Sequence, residues 1–240
     1  MPPRYALNAT RYENLVMIAK SKKNNSGIIG ILDLQGGVYE HLDHLQRLGI
    51  AARKVKRPPD FKNLAGLIIP GGESSCISRL LNIFEIKAPL LTAFGRGMKI
   101  WGTCAGAILL AKHVVGEDSC LGLIDIKIER NSFGSQLNSF KSEAMIPRVS
   151  AKPVPLTFIR APKILTAGKD VEVLLKVDDY IAAAESASVL VTVFHPELTG
   201  SPAFHRYFAV KCGLNPAVNT KIYTDQEWNP CSWTRLARNF

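Results

Sequence analysis

Short apolar runs alternate with segments of helical periodicity between residues 27 and 112, and this alternation constrains the fold more than any other feature. The runs predicted as buried strands are Ile28–Leu34, Ile50–Val55, Ala65–Ile69 and Met98–Gly102. The segments predicted as helices are Val38–Leu48, Ser75–Phe84, Ala88–Phe94 and Ala105–Lys112. Strands that alternate with helices form parallel sheets covered on both faces. We therefore expect an α/β protein, a three-layer αβα sandwich with a mostly parallel central sheet.

The chain after residue 120 has a different pattern, in which strands follow one another with little helix between them. The predicted strands are Leu123–Ile128, Leu156–Ile159, Val171–Val177, Tyr180–Ala184 and Val189–Phe194, and a last helix is predicted over Ser201–Val210. This pattern indicates an antiparallel extension or edge of the sheet. We expect one domain over residues 27–212, preceded by a basic N-terminal extension (residues 1–26) and followed by a C-terminal extension (residues 213–240) of unknown role.

The basic charge of the chain is concentrated at its N-terminus. The 240 residues have a formal net charge of +10, and residues 1–26 hold five basic residues and one acidic residue. Such a segment is compatible with a solvated tail, a nucleic-acid-binding arm or a transit peptide. Because no basic run is interleaved with aromatic residues, we expect no nucleic-acid partner. No apolar run approaches the ~20 residues that span a bilayer, so we expect no membrane partner.

Cysteine usage argues against a disulfide framework and against a zinc site. The five cysteines are odd in number, widely spaced and without a C-x-x-C pair. His41 and His44 lie three residues apart in a predicted helix, but such a pair without further ligands is more often a surface or packing feature. We expect reduced thiols, no metal and no cofactor. The predicted location is the cytoplasm, with an organelle as the alternative that the basic extension leaves open.

Cys104 is the strongest candidate for a nucleophile. It lies at the centre of Gly-Thr-Cys-Ala-Gly, between a predicted strand and a predicted helix, which is the thiol counterpart of the G-x-S-x-G nucleophile elbow. Small neighbours are needed there because bulky ones would clash with the strand and the helix on either side of a sharp turn. The positive end of the helix after Cys104 favours a thiolate. The alternative is a buried structural cysteine.

A base for this thiol is available at the end of the last predicted strand. His195 and Glu197 are two residues apart on backbone that Pro196 favours as extended, so their side chains are expected on one face. Glu197 can then orient the imidazole of His195. The loop Pro70–Ser74 (Pro-Gly-Gly-Glu-Ser) follows another predicted strand, and its two glycines can present unobstructed amides to an oxyanion. A plain turn or a phosphate-binding loop is the alternative for this loop.

These residues together resemble class I glutamine amidotransferases, in which G-T-C-A-G occurs with a late H-P-E. Five segments are more specifically similar to the glutaminase subunit of pyridoxal 5′-phosphate synthase, and the similarity covers about residues 27–212. These segments are Leu34–Gly36, Pro70–Ser74, Arg130–Gln136, Phe158–Pro162 and Phe194–Leu198. The resemblance implies a flavodoxin-like form of the αβα sandwich.

The resemblance also implies a reaction and a partner. The chain is expected to hydrolyse L-glutamine through a Cys-His-Glu triad and a thioester, and to pass the ammonia to a separate synthase subunit in a hetero-oligomer. The implied roles are nucleophile for Cys104, acid and base for His195, and orienting partner for Glu197. The implied glutamine-binding positions are Gly72, Glu73, Ser74, Arg130, Ile159 and Arg160, and the amides near Gly72 and Ala105 are implied as the oxyanion hole. We expect low activity until the synthase docks and orders the Gly71–Gly72 loop.

Two features lie outside the resemblance, and three other functions remain open. The extensions are expected to have no counterpart in the family, and Ser75-Cys76 stands where threonines are common. One alternative is a glutaminase for a different amidotransferase, or a γ-glutamyl hydrolase, against which Arg130-Asn131 and Ile159-Arg160 argue. A non-catalytic binding module is a second, although Cys104, His195 and Glu197 are intact. A nucleic-acid-binding protein is the third, supported only by the net charge.

Overall fold

The computed structural model describes residues 27–130 and 139–217, so the predictions for residues 1–26, 131–136 and 218–240 concern residues outside it. The strands are β1 (Ile28–Leu32), β2 (Ala52–Val55), β3 (Leu64–Ile69), β4 (Lys99–Thr103), β5 (Ala111–Val114), β6 (Ile124–Glu129), β7 (Phe140–Ala144), β8 (Val154–Phe158), β9 (Lys163–Ala167), β10 (Glu172–Val177), β11 (Tyr180–Glu185) and β12 (Val189–Thr192). The α-helices are α1 (Val38–Arg47), α2 (Ser74–Ile83), α3 (Lys87–Gly95), α4 (Ala105–Leu110) and α5 (Ala203–Lys211). Two 3-10 turns cover Pro58–Phe61 and Pro196–Leu198.

Ten of these strands form one sheet in the order β2-β1-β3-β4-β12-β11-β9-β6-β5, with β10 paired to β11. The first five in this order are parallel neighbours, and their order matches the 2-1-3-4-5 order of flavodoxin-like sheets. Beyond β12 the pairing is antiparallel, except for β5 with β6. β7 and β8 form a separate antiparallel pair. The predicted parallel core and its antiparallel extension are confirmed.

Helices cover both faces of the sheet, as neighbouring residues of β4 show. The ring of Trp101 packs against Phe204 and Phe208 of α5. The next residue, Gly102, faces α4, where an added Cβ would lie 2.5 Å from backbone atoms of Gly106. Because successive side chains of a strand point to opposite faces, α5 and α4 lie on opposite sides of the sheet. α1 packs beside α5 and α2 packs beside α4, which confirms the αβα sandwich.

Four elements, α4, β5, β7 and β9, differ from the sequence prediction. The helix predicted over Ala105–Lys112 ends at Leu110, and the next four residues form β5, which pairs with β6. β7 and β9 were not predicted, because they lack the apolar alternation of a half-buried strand: four of the five residues of β7 are exposed. The packed part of the chain also extends past residue 212, where the domain was predicted to end. Leu214 is 5% exposed and lies beside Gly27.

The cysteines of the described residues are all free thiols, as predicted. They are Cys76, Cys104, Cys120 and Cys212, and Cys231 lies outside the described residues. The thiol of Cys212 is buried against Gly66. Burial raises its pKa to about 12, so that it is a packing group and no nucleophile at neutral pH. Over the same residues, no helix has the length and apolar character needed to cross a membrane.

Three histidines pack together between α1 and α5. His41 and His44 of α1 and His205 of α5 are all 0% exposed, so the pair in α1 packs in the interior and does not lie on the surface. The His44 ring stacks on His205 with 4.2 Å between centroids. Burial lowers the pKa of His41 to about 4 and that of His44 to about 3, and it holds the pKa of His205 well below its ordinary value. All three rings are therefore neutral at neutral pH.

The close approach of α4 to the sheet predicts a strong effect of one methyl group. In Gly106→Ala the new Cβ would lie 2.1 Å from the carbonyl oxygen of Ile69, which is backbone and cannot move aside alone. We expect the free energy of unfolding, measured by urea denaturation, to fall by about 2 kcal/mol or more. Gly95→Ala is the matched control, because Gly95 ends α3 and a Cβ there meets nothing within 4 Å. Equal stability of the Gly106 variant and the wild type would contradict this packing.

The three buried histidines predict a loss of stability in mild acid. Below about pH 6.5 they take up protons in the unfolded state. The folded state keeps His41 neutral to about pH 4 and His44 to about pH 3, and the pKa of His205 is also well below its ordinary value. The unfolded state therefore binds more protons in this window, and stability falls as the pH falls. Each histidine contributes up to about 1.4 kcal/mol per pH unit. The raised pKa of His195 acts above this window, and the lowered pKa of Glu197 acts toward its acid end.

Urea denaturation at pH 7, 6 and 5 measures this effect. We expect His44→Leu to reduce the slope of stability against pH by up to about 1.4 kcal/mol per pH unit, most fully between pH 6 and 5, whatever it does to stability at pH 7. Leu45→Ala is the control, because Leu45 is a completely buried residue of the same helix with no titratable group, so its loss destabilises the fold and should leave the slope unchanged. An unchanged slope in His44→Leu is the result that would refute the assignment.

Candidate active site

A cavity of about 350 Å³ opens at the carboxyl ends of the parallel strands. It lies where the strand order reverses between β1 and β3, the place at which open α/β sheets bind ligands. All ten residues that the sequence singles out line this cavity. They are Cys104, His195, Glu197, Gly72, Glu73, Ser74, Arg130, Ile159, Arg160 and Ala105. Cys76, which lies close to them in sequence, is exposed on α2 and is not part of the lining.

Cys104 lies in the sharp turn between β4 and α4. Its backbone has φ 47° and ψ −104°, a conformation that costs a side-chain-bearing residue about 1–3 kcal/mol. The flanking glycines make the turn possible, because a Cβ at Gly102 or Gly106 would overlap neighbouring backbone. The Cys104 amide donates to the carbonyl oxygen of Thr192 at 2.8 Å, which ties the turn to β12. The predicted elbow is thus present, with a nearly buried thiol at the cavity wall.

His195 and Glu197 meet at the end of β12. Nδ1 of His195 lies 2.7 Å from Oε1 of Glu197, and the two side chains are 11% and 1% exposed. The His195 amide donates to the carbonyl oxygen of Thr157 in β8 at 2.8 Å, which fixes the start of the turn. The contact was predicted, but its geometry differs: Glu197 lies in the 3-10 turn Pro196–Leu198 and not on extended backbone.

The electrostatics of this pair favour an imidazolium beside the thiol. Burial by itself lowers the pKa of His195, but attraction to Glu197 and interaction with Cys104 outweigh it and hold this pKa well above its ordinary value. Burial raises the pKa of Glu197, but attraction to His195 and the hydrogen bond with it overcome this and leave that pKa lowered. A buried carboxylate and an imidazolium therefore face each other at neutral pH. A cation next to a cysteine stabilises its thiolate.

The two residues whose amides the resemblance implies as the oxyanion hole, Gly72 and Ala105, both line the cavity with Cys104. Ala105 is the first residue of α4, a position whose amide has no acceptor within the helix. Gly72 has φ 151°, a conformation that favours glycine. The amide of Gly71 is already used, since it donates to Oγ1 of Thr103 at 3.0 Å. The expectation that both glycine amides are unobstructed is therefore wrong for Gly71.

The mouth of the cavity carries opposite charges side by side. Arg160 Nη1 lies 4.0 Å from Oε1 of Glu73, and both side chains are more than half exposed. Arg130, the first residue of the Arg130–Gln136 segment, forms an ion pair with Glu117, and its side chain is 20% exposed. The cavity thus offers a carboxylate and guanidinium groups, together with the apolar side chain of Ile159. These opposite charges suit the ammonium and carboxylate groups of an amino acid, and Ile159 suits methylene groups in its side chain.

Sequence reasoning missed Gln35 as a site residue. Its Oε1 accepts the amide hydrogen of Glu73 at 3.0 Å, so it supports the loop after β3. A Cβ at Gly36 would lie 1.8 Å from the carbonyl oxygen of Gly71, which shows how closely the two loops pack. The segment Leu34–Gly36 entered the resemblance without a role. Its place after a predicted strand was the available signal, but only the strand order shows that β1 lies beside β3.

Known proteins resemble this chain over most of its length. The model of the SNO glutamine amidotransferase family matches residues 31–214. The pyridoxal 5′-phosphate synthase subunit PdxT of Syntrophus aciditrophicus (strain SB) is 61% identical over 210 residues, covering 87% of this chain and 94% of that protein. PdxT of Clostridium botulinum (strain Loch Maree / Type A3) is 47% identical over 185 residues, covering 76% and 96%. A crystal structure of a glutamine amidotransferase shares 39% identity at a TM-score of 0.73, covering 78% of this chain and all of that one.

The alignment with the Syntrophus protein also bears on the extensions. At 210 residues it is longer than the predicted domain of residues 27–212, so part of the extensions has a counterpart in that relative. The expectation that they have none is wrong. The family model covers most of the chain, and several relatives far exceed the identity at which a common family is secure. The chain therefore belongs to the SNO glutamine amidotransferase family.

Proposed function

We propose that this protein is the glutaminase subunit of a pyridoxal 5′-phosphate synthase. It hydrolyses L-glutamine to glutamate and ammonia, and the ammonia passes to a separate synthase subunit in a hetero-oligomer. One observation carries the chemistry: a cysteine on a strained turn shares a cavity with a buried, hydrogen-bonded histidine–glutamate pair. The substrate and the partner rest on the similarity to proteins named as PdxT subunits of that synthase.

In the first half of the reaction, Cys104 acts as the nucleophile. Its thiolate attacks the side-chain amide carbon of glutamine, and the resulting oxyanion accepts hydrogen bonds from the amides at Ala105 and Gly72. His195, an imidazolium held by Glu197, gives a proton to the amide nitrogen. The carbon–nitrogen bond then breaks, ammonia leaves, and a γ-glutamyl thioester remains on the cysteine.

In the second half, water hydrolyses the thioester. His195 is now neutral and accepts a proton from the attacking water, so that the same residue serves as acid and then as base. The tetrahedral intermediate collapses with cleavage of the carbon–sulfur bond. Glutamate leaves, and the regenerated thiolate again faces an imidazolium. Glu197 keeps one tautomer and one orientation of His195 through both halves, because its Oε1 holds Nδ1.

The charged mouth of the cavity binds the amino-acid end of glutamine. Glu73 offers a carboxylate to the α-ammonium group, and Arg160 or Arg130 offers a guanidinium to the α-carboxylate. Each group already has an oppositely charged partner, so binding exchanges one ion pair for another and does not desolvate a lone charge. Gly72, Ser74 and Ile159 complete the pocket along the substrate's side chain.

We place the protein in the cytoplasm, in keeping with the free thiols of the described residues.

The first test is ammonia release from L-glutamine, with and without a purified synthase subunit. We expect the rate to rise when the synthase is added, and Cys104→Ala to lower it at least about 1,000-fold. Cys76→Ala is the matched control, because that thiol is exposed and lies outside the cavity. Mass spectrometry should find an electrophilic glutamine analogue attached to Cys104 of the wild type. Ammonia release that persists in the Cys104 variant would refute the proposal.

The second test concerns recognition of the substrate. Glu73→Gln removes the charge that faces the α-ammonium group, so we expect KM for glutamine to rise about 10-fold to 100-fold while kcat changes less than about threefold. Glu85→Gln is the control, with the same change of charge on a residue outside the cavity lining. A fall in kcat at constant KM would show instead that Glu73 acts on the reacting amide.

A further inference from the structure

The second carboxylate oxygen of Glu197 faces His41 of α1. While Oε1 accepts the hydrogen bond from His195, Oε2 lies 3.7 Å from Nε2 of His41. These two atoms are buried, and among the described residues neither has a hydrogen-bond partner. Buried polar atoms are almost always paired, so each is the natural partner of the other at a distance just beyond a hydrogen bond.

The line of contacts continues from His41 to His205. Nδ1 of His41 lies 2.8 Å from Nε2 of His205 in α5, and both rings are completely buried. The Trp101 ring packs against both in edge-to-face geometry, with its centroid 5.5 Å from that of His41 and 5.0 Å from that of His205. The rings are therefore held in place by packing. Which nitrogen of each ring carries the hydrogen depends on the groups that the nitrogens face.

A neutral imidazole carries one N–H, and the carboxylate decides which nitrogen of His41 holds it. If Nδ1 held the proton, the lone pair of Nε2 would face the buried anion of Glu197, which is repulsive. With the proton on Nε2, His41 donates toward Oε2, and its Nδ1 accepts from Nε2–H of His205. Only the second arrangement is favourable at both contacts. The low pKa of His41 agrees with a ring that stays neutral beside the carboxylate.

We propose that His41 is a positioning residue for the triad, a neutral donor that holds Oε2 of Glu197 while His205 fixes its tautomer. The role rests on the proposed glutaminase function. A carboxylate held at both oxygens cannot rotate, so Oε1 stays directed at Nδ1 of His195. The effect reaches the reacting atoms only through Glu197 and His195, since His41 does not line the cavity.

Other ionisable groups pack around this line and enter its pH dependence. Cys104 faces His195 from the elbow, and His44 lies beside His41 and His205 with Arg47 near it. Glu40 of α1 approaches Glu197 across Gly37, where an added Cβ would lie 3.4 Å from an oxygen of each carboxylate. These groups remain in place when His41 alone is replaced, so a shift in the pH profile reports on His41.

The test compares two replacements of His41 in the full chain, assayed with the synthase subunit. His41→Leu removes the donor, and we expect kcat for ammonia release to fall at least about tenfold with KM within about twofold. His41→Gln places an amide N–H near the position of Nε2, and we expect it to restore kcat to within about threefold of the wild type. The rate of Cys104 alkylation by iodoacetamide, measured against pH, needs neither glutamine nor synthase. Its midpoint should move up by about 0.5 pH unit or more in His41→Leu only.

Leu45→Ala is the matched control, because Leu45 is a completely buried residue of the same helix and its loss destabilises the fold without removing a hydrogen bond. We expect its alkylation midpoint and its kcat to stay at wild-type values. An unchanged midpoint in His41→Leu, equal losses in the leucine and glutamine variants, or the same shift in Leu45→Ala would each overturn the proposal.

The wild-type protein gives an independent answer that no folding defect can obscure. Nitrogen-15 NMR of histidine-labelled protein distinguishes the two neutral tautomers, and we expect N–H on Nε2 for both His41 and His205 at pH 7. A His41 ring protonated on Nδ1 alone, or charged at pH 7, would overturn the inference. If the wild type released no ammonia even with synthase, the proposed function would fail, whereas the tautomers and the alkylation profile would still decide the role of His41.

Discussion

The close approach of Gly106 to the carbonyl oxygen of Ile69 sets the place of Cys104. With no side chain at residues 102 and 106, α4 lies against β3 and β4, and the chain must turn from strand to helix at a single residue. Cys104 is that residue, and its positive φ is the result. The strain is of the order of 1–3 kcal/mol and persists because the packing on both sides of the turn leaves no other path. The thiol therefore projects into the cavity and is not buried within the sheet.

The register of β4 and β12 then fixes the position of Cys104 relative to His195. Thr103 pairs with Thr192, and the Cys104 amide donates to the carbonyl oxygen of Thr192, so the last residue of each strand is tied to the other. Nε1 of Trp101 donates to Oγ1 of Thr192 at 3.3 Å and strengthens the same pairing. His195 lies three residues after Thr192, and its ring therefore faces the thiol of Cys104 across the cavity. A slip of one residue would turn the side chains to the opposite face.

The sequence predicts what depends on local pattern and misses what depends on pairing. The apolar strands of the parallel core and the elbow at Cys104 are visible, because buried strands and small-residue turns leave strong local signals. β7 and β9 are not visible, because they are held mainly by partner strands: no residue of β7 is buried, and Ile164 is the one buried residue of β9. The role of Gln35 and the use of the Gly71 amide by Thr103 depend on which loops lie side by side. The role of His41 cannot be predicted from the sequence, because it depends on contacts with His205 of α5 and with Glu197 of the last 3-10 turn.

Because His41 is neutral, the negative charge of Glu197 acts on His195 alone. Glu197 is 1% exposed, and a buried anion needs compensation. A second cation at Oε2 would supply it, but that cation would share the carboxylate with His195 and weaken the attraction that keeps the catalytic imidazole charged. A neutral N–H donor satisfies the free oxygen and leaves the whole negative charge to the ion pair with His195. Burial of His41, His44 and His205 together, away from water, keeps these rings uncharged. Burial of these rings makes the stability of the fold depend on pH. In the proposed triad it leaves the His195 imidazolium as the only cation beside the Glu197 carboxylate.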